Sequence, residues 1–113
     1  MSAPAIDAAA FAELQASAGA DFVHELIDTF LEEAPRMLAE LQSAAATART
    51  DAFRRAAHSL KSNANTFGAS TLGIMARELE LNGVPAGGDE AAIDALAAEY
   101  RRVAVRLTEL RGG

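Results

Sequence analysis

Apolar residues recur at three- and four-residue steps through almost the whole chain, and a glycine, a proline or a capping residue punctuates each run. That period places one apolar stripe on each of a succession of helices and leaves no stretch that reads as a strand. The first helix opens at Asp7, a side chain suited to an N-cap, carries Phe11 and Leu14, and runs to about residue 17, where Gly19 stops it. Asp21 is placed to cap the second, whose stripe of Phe22, Val23, Leu26, Ile27, Phe30, Met37, Leu38 and Leu41 extends to about residue 46. Pro35 lies inside that stripe without changing its phase, which predicts one bent helix rather than two. A third helix starts near Thr50 and Asp51, holds Phe53, Ala57, Leu60 and Ala64, and ends around Phe67 and Gly68. The fourth starts at Ser70 or Thr71, turns Leu72, Met75 and Leu79 inward, and closes at Asn82 and Gly83. A loop by composition follows over residues 83–88, and Asp89 is placed to cap a last helix with Ile93, Leu96, Tyr100, Val103, Leu107 and Leu110 inward.

Composition narrows the packing. Alanine supplies 28 of the 57 apolar residues and there are six aromatics, so the helices can approach closely, while the β-branched and aromatic stock of a sandwich or barrel is missing. Four substantial helices joined by short connections fold most simply as an antiparallel four-helix bundle, all-α, with the short N-terminal helix over one end. The expectation is one domain over residues 1–113, free-standing and monomeric. No cysteine is present, which excludes disulfides, thiolate metal sites and cysteine nucleophiles. A net charge of −6 argues against nucleic acid as a partner. No apolar run approaches the roughly 20 residues of a membrane span and no signal peptide is visible, so a cytoplasmic location without membrane contact is expected. Abundant alanine and arginine beside a single lysine point to a GC-rich bacterial genome.

The two histidines differ in setting. At about 100° per residue, Phe53, Ala57, Leu60, Ala64 and Phe67 fall within roughly 40° of one direction, and His58 lies about 140° from Phe53, turned to solvent. Ser62 and Asn65 share its face, and Arg54, Arg55 and Lys61 border it, so three of ten basic residues surround one exposed imidazole on an acidic chain. An exposed histidine among arginines is ordinarily a solvated helix face. Yet cations disfavour the protonated ring, a neutral imidazole is a nucleophile, and the same cations suit a phosphoryl group held at the surface. Small neighbours would let a partner come close.

The segment Ala57-His58-Ser59-Leu60-Lys61-Ser62-Asn63-Ala64-Asn65-Thr66-Phe67-Gly68-Ala69, followed by Leu72 and Leu79-Glu80, resembles the signature of histidine-containing phosphotransfer (HPt) domains. That signature has a histidine, a lysine three residues on, a small residue next, and a glycine ten residues after the histidine; His58, Lys61, Ser62 and Gly68 follow in that order. Phe30-Leu31-Glu32-Glu33-Ala34-Pro35 resembles the helix that precedes the acceptor helix in that family, and the likeness extends over residues 7–110. One departure is Ser62, where many members carry glycine.

The resemblance implies a phosphoryl carrier in a two-component phosphorelay, an intermediate and not an autonomous kinase or hydrolase. His58 would accept the group from an aspartate on one receiver domain and pass it to another, the partners being the receiver domains of a hybrid kinase and a response regulator, with the direction of flow left open. Lys61 would steady the phosphoryl oxygens, Ser62 would donate a hydrogen bond or permit close approach, and Gly68 would be structural. The receiver would bring Mg²⁺, so no metal or cofactor is expected on this chain. Arg54, Arg55 and Asn65 are candidates for partner contact, with Leu31 and Ile27, at the margins of the second helix's stripe, as its apolar part. Two rivals stand beside this reading. A di-metal carboxylate bundle wants two Glu-x-x-His pairs, and the nearest match is the single Asp21-x-x-His24. A helical adaptor would bind a signalling partner through the same face with no phosphoryl chemistry.

Overall fold

The computed structural model describes residues 3–85 and 90–112. It holds five helices: α1 (Ala8–Ala18), α2 (Ala20–Ala46), α3 (Thr50–Phe67), α4 (Ser70–Asn82) and α5 (Ala91–Arg111), with no strand among the described residues. Helices α2 to α5 form the antiparallel bundle, each packed on its two neighbours, and α5 closes the ring against α2. None of the helices is long and apolar enough to cross a membrane.

Asp7 caps α1 as its side chain suggests, accepting from the Ala9 amide at 3.0 Å. Asp21 does not cap α2: that helix begins one residue earlier, from Gly19 at φ 90°, and Asp21 lies in its first turn, where a negative charge still complements the helix dipole. Chain continuity decides the difference, because Gly19 both stops α1 and turns the backbone directly into α2. The helix then continues unbroken through Pro35, whose ring faces outward. At its end Ala48 adopts φ 54°, and the turn is tied by Thr47 and Arg49: Thr47 Oγ1 donates to the Ser43 carbonyl at 2.8 Å and Arg49 Nε to Thr47 Oγ1 at 2.8 Å. Helix α5 starts from Glu90 without a side-chain cap, and the expected cap Asp89 lies outside the described residues, as do Ala86, Gly87 and Gly88 of the loop.

Phe30, Phe53 and Phe67 fill the centre, with the Phe30 ring 5.5 Å from that of Phe67 and edge-on to Tyr100 at 5.8 Å. Alanines 34, 44, 57, 64 and 76 are fully buried, which is how helices so poor in bulky side chains still close on one another. Phe22 departs from the stripe reading: it is 51% exposed, because α2 already presents Val23 and Ile27 to the core one position and five positions later. Helix α1 buries Phe11 and lies across the ends of α2 and α3, fastened by the Asp7 amide donating to the Gly68 carbonyl at 2.8 Å. Gly68 itself, at φ 79°, caps α3, and a β-carbon there would come within 2.8 Å of the Ala10 β-carbon.

Candidate functional site

The five residues that set the inward face of α3 are all buried, with exposures of 0 or 1%. The phase that buries them turns His58 outward, its side chain 58% exposed, with Arg54, Arg55, Ser62 and Asn65 exposed around it. Lys61, one turn on, is drawn down toward α4 and keeps 24% exposure.

What draws it is Glu80. Helix α4 runs antiparallel to α3, and burial of Leu79 leaves the next residue at the seam between them, opposite residues 58–61. The Glu80 carboxylate uses both oxygens: Oε1 accepts from Lys61 Nζ at 2.8 Å, and Oε2 lies 2.9 Å from His58 Nδ1. The Lys61 hydrogen bond foremost, with that of His58 adding to it against some desolvation, holds the Glu80 carboxyl below the ordinary carboxylate value of 4.5. An ionised carboxylate only accepts, so the proton between the two groups belongs to Nδ1 and the free lone pair of the neutral ring to Nε2. Nε2 is on the far side of the ring from Glu80 and looks away from the seam.

Arginines surround this triad without neutralising it. Arg54, Arg55 and Glu80 line a shallow hollow with His58 and Ser59; Arg54, Lys61 and Glu80 line a second with Arg77 and Leu81. Lys61 and Glu80 offset one another, and Arg54, Arg55 and Arg77 have no ion-pair partner among the described residues. Arg54 also lies over the end of α4, its Nη2 3.2 Å from where a Gly83 β-carbon would stand, a favourable place for a cation at a helix C-terminus. The site is therefore electropositive on a chain of net charge −6.

Of the residues singled out in the sequence, His58 and Lys61 meet at one carboxylate, with Arg54 and Arg55 at their rim. The Ser62 hydroxyl makes no hydrogen bond to the imidazole; its carbonyl accepts from Thr66 Oγ1 at 3.0 Å. Ile27 does not belong to an exposed face: it is 0% exposed, a core residue of α2, because the stripe's centre falls on it and not beside it. Leu31 is half-buried against the core, and with Phe30 packed on Phe67 it stands level with the far end of α3, about 13 Å along the helix from His58. The exposed apolar side chain beside the site is instead Leu81 of α4, at 62%. Glu80 and Arg77 carried no assigned role in the sequence reading; the signal for Glu80 was its place next to an inward Leu79 on the helix that must lie against α3. Elsewhere, His24 is half-buried in the first turns of α2, and no group of three His, Asp or Glu side chains suited to a metal occurs among the described residues.

The chain resembles known proteins in sequence and in fold. The family model described as "Hpt domain" matches residues 25–109. The fold is similar to the crystal structure of histidine-containing phosphotransfer protein B from Pseudomonas aeruginosa PAO1, with a TM-score of 0.83 and 28% sequence identity over 97% of this chain and 96% of that one. No curated protein matches the chain.

Proposed function

Because this chain belongs to the Hpt domain family, the histidine phosphotransfer proteins of two-component signalling, we propose that His58 is its phosphoacceptor and that the group arrives from one receiver-domain aspartate and leaves to another. The observation that carries this reading is the Glu80 carboxylate at 2.9 Å from His58 Nδ1, which leaves Nε2 as the nucleophile on the exposed side of the ring.

In the transfer, the Nε2 lone pair attacks the phosphorus of a phosphoaspartate, a P–N bond forms, and the acyl P–O bond breaks with its electron pair leaving on the aspartate. The reverse step regenerates neutral His58. The ring becomes cationic as the P–N bond forms, and Glu80 sits where that charge develops. Lys61, held 2.8 Å from Glu80, has two further N–H donors for the phosphoryl oxygens. Arg54 and Arg55 draw the acidic centre of a receiver toward the ring, Ser62 keeps the approach open, and Mg²⁺ belongs to the receiver. This chain supplies an oriented nucleophile and fixed charge, and the rest of the reaction chamber comes with the partner.

The test is incubation with phosphorylated receiver domains and a search for acid-labile, base-stable label on the chain. We expect His58→Gln to take no label while its helicity and melting stay those of the wild type, since the side chain is exposed. Label that survives in His58→Gln, or that moves to His24, ends the assignment. A chain that binds receivers and never takes label is the adaptor of the alternative reading.

A further inference from the structure

Gly73 is buried one turn into α4, inside the helix, where glycine weakens it and alanine would strengthen it. The reason for a glycine is across the seam. A β-carbon at residue 73 would run into the carboxamide oxygen of Asn65 and stand 3.2 Å from its Cγ, so the Asn65 side chain lies directly on the Gly73 backbone. That side chain is on the exposed face of α3, seven residues beyond His58, which puts it within about 20° of the same direction and about 10 Å along the axis.

Two asparagines in this stretch behave differently. The Asn63 amide donates to the Ser59 carbonyl at 2.8 Å and is spent within its own helix. The Asn65 carboxamide has no hydrogen bond among the described residues, although packing on Gly73 restrains where it can point. With Oδ1 turned in against the Gly73 backbone and Nδ2 farther from it, the carboxamide keeps its amide group as an unused donor on the face that carries His58, the form needed to meet a peptide carbonyl. Restraint before binding also lowers the entropy lost on binding.

We propose that Gly73 is a positioning residue that seats the Asn65 carboxamide, oxygen inward, as a ready amide donor for a main-chain carbonyl of the docking receiver domain; this rests on the phosphocarrier reading above. Gly73 never touches the partner and acts only through Asn65.

The experiment is a double-mutant cycle on the full chain, using a receiver domain chosen because it labels the wild type, so that failure of the phosphocarrier reading shows before the cycle begins. Kd for the unphosphorylated receiver is measured by calorimetry for the wild type, Gly73→Ala, Asn65→Ala and the double variant, alongside thermal melting. Each single change is expected to weaken binding about three- to tenfold, and the double variant to bind no more weakly than Asn65→Ala alone. Gly73→Ala is expected to melt no lower than the wild type, which separates its effect from a loss of fold. Wild-type affinity in Gly73→Ala, or losses that multiply in the double variant, overturns the proposal. Should Gly73→Ala unfold, the double variant decides: removal of the Asn65 amide must restore the fold with the affinity of Asn65→Ala, and an unfolded double variant overturns the proposal as well.

Discussion

His58 and Glu80 are 22 residues apart in the chain and 2.9 Å apart in space, Nδ1 to Oε2, on helices whose antiparallel packing alone brings them together. The carboxylate beside the ring nitrogen also anchors Lys61, so a single residue of α4 meets both the His58 imidazole and its neighbouring cation.

Glu80→Gln keeps size and removes charge, and its amide can donate as well as accept. We predict that the imidazole ¹⁵N shifts of His58 change from one defined tautomer to a mixture, and that single-turnover transfer from a phosphorylated receiver slows about tenfold. Unchanged shifts would show that Glu80 does not hold the proton on Nδ1.

Lys61→Ala is expected to leave folding intact and to slow transfer about five- to thirtyfold, the worth of a half-exposed charge-assisted contact of about 1 to 2 kcal/mol. Lys61→Arg should recover part of the loss, because charge is kept while geometry changes. A second readout follows from the ion pair. With the foremost cause of its lowered pKa removed, the Glu80 carboxyl should titrate closer to 4.5 in Lys61→Ala, measurable by ¹³C shifts of the carboxyl carbon. Equal transfer rates for wild type and Lys61→Ala at low salt would make the lysine a bystander.

Acid should dissolve the Lys61–Glu80 pair in a defined direction. The folded carboxyl titrates below 4.5, so its contribution to stability is complete above that value and is lost as pH falls through the lowered one. In a His58→Gln background, which leaves Lys61 as the cation on Glu80, the stability difference between Glu80 and Glu80→Gln should be flat from pH 7 to about 5 and shrink on further acidification. Urea unfolding at each pH measures it, and a difference that grows with acid would contradict the ion-pair geometry.

Gly68→Ala should destabilise the fold by about 1 to 3 kcal/mol in urea unfolding, because residue 68 combines φ 79° with a β-carbon position 2.8 Å from the Ala10 β-carbon and 3.2 Å from the Asp7 carbonyl. Transfer per folded molecule should be retained, since the acceptor is ten residues away on the same rigid helix. Loss of transfer without loss of stability would give Gly68 a part in the chemistry that its position does not suggest.

Periodicity was enough to locate every helix, because each carries its own apolar stripe and its own stop, and enough to turn His58 outward, because five buried residues on α3 fix that helix's phase. Features that depend on one helix meeting another were less legible. Glu80 and Arg77 become part of the site through the α3–α4 seam, whose register no single-helix pattern contains. Ile27 was misplaced because the buried set Val23, Ile27, Phe30 and Ala34 centres the stripe on it, whereas counting the exposed Phe22 into the stripe moved Ile27 to its margin. Asp21 shows the limit at helix ends, where a glycine's conformation outweighed a good capping side chain.

The His58 ring stands proud of the bundle's flank, its side chain 58% exposed, and the hollows beside it are open to solvent. A reactive atom on a convex surface imposes no shape of its own on what may surround it. On the proposed reading, the geometry of each transfer is written by whichever concave partner closes over the ring, and two different receivers use the same nitrogen in turn. On that reading, a phosphoryl group on Nε2 faces bulk water between encounters, and its lifetime is that of an unshielded P–N bond.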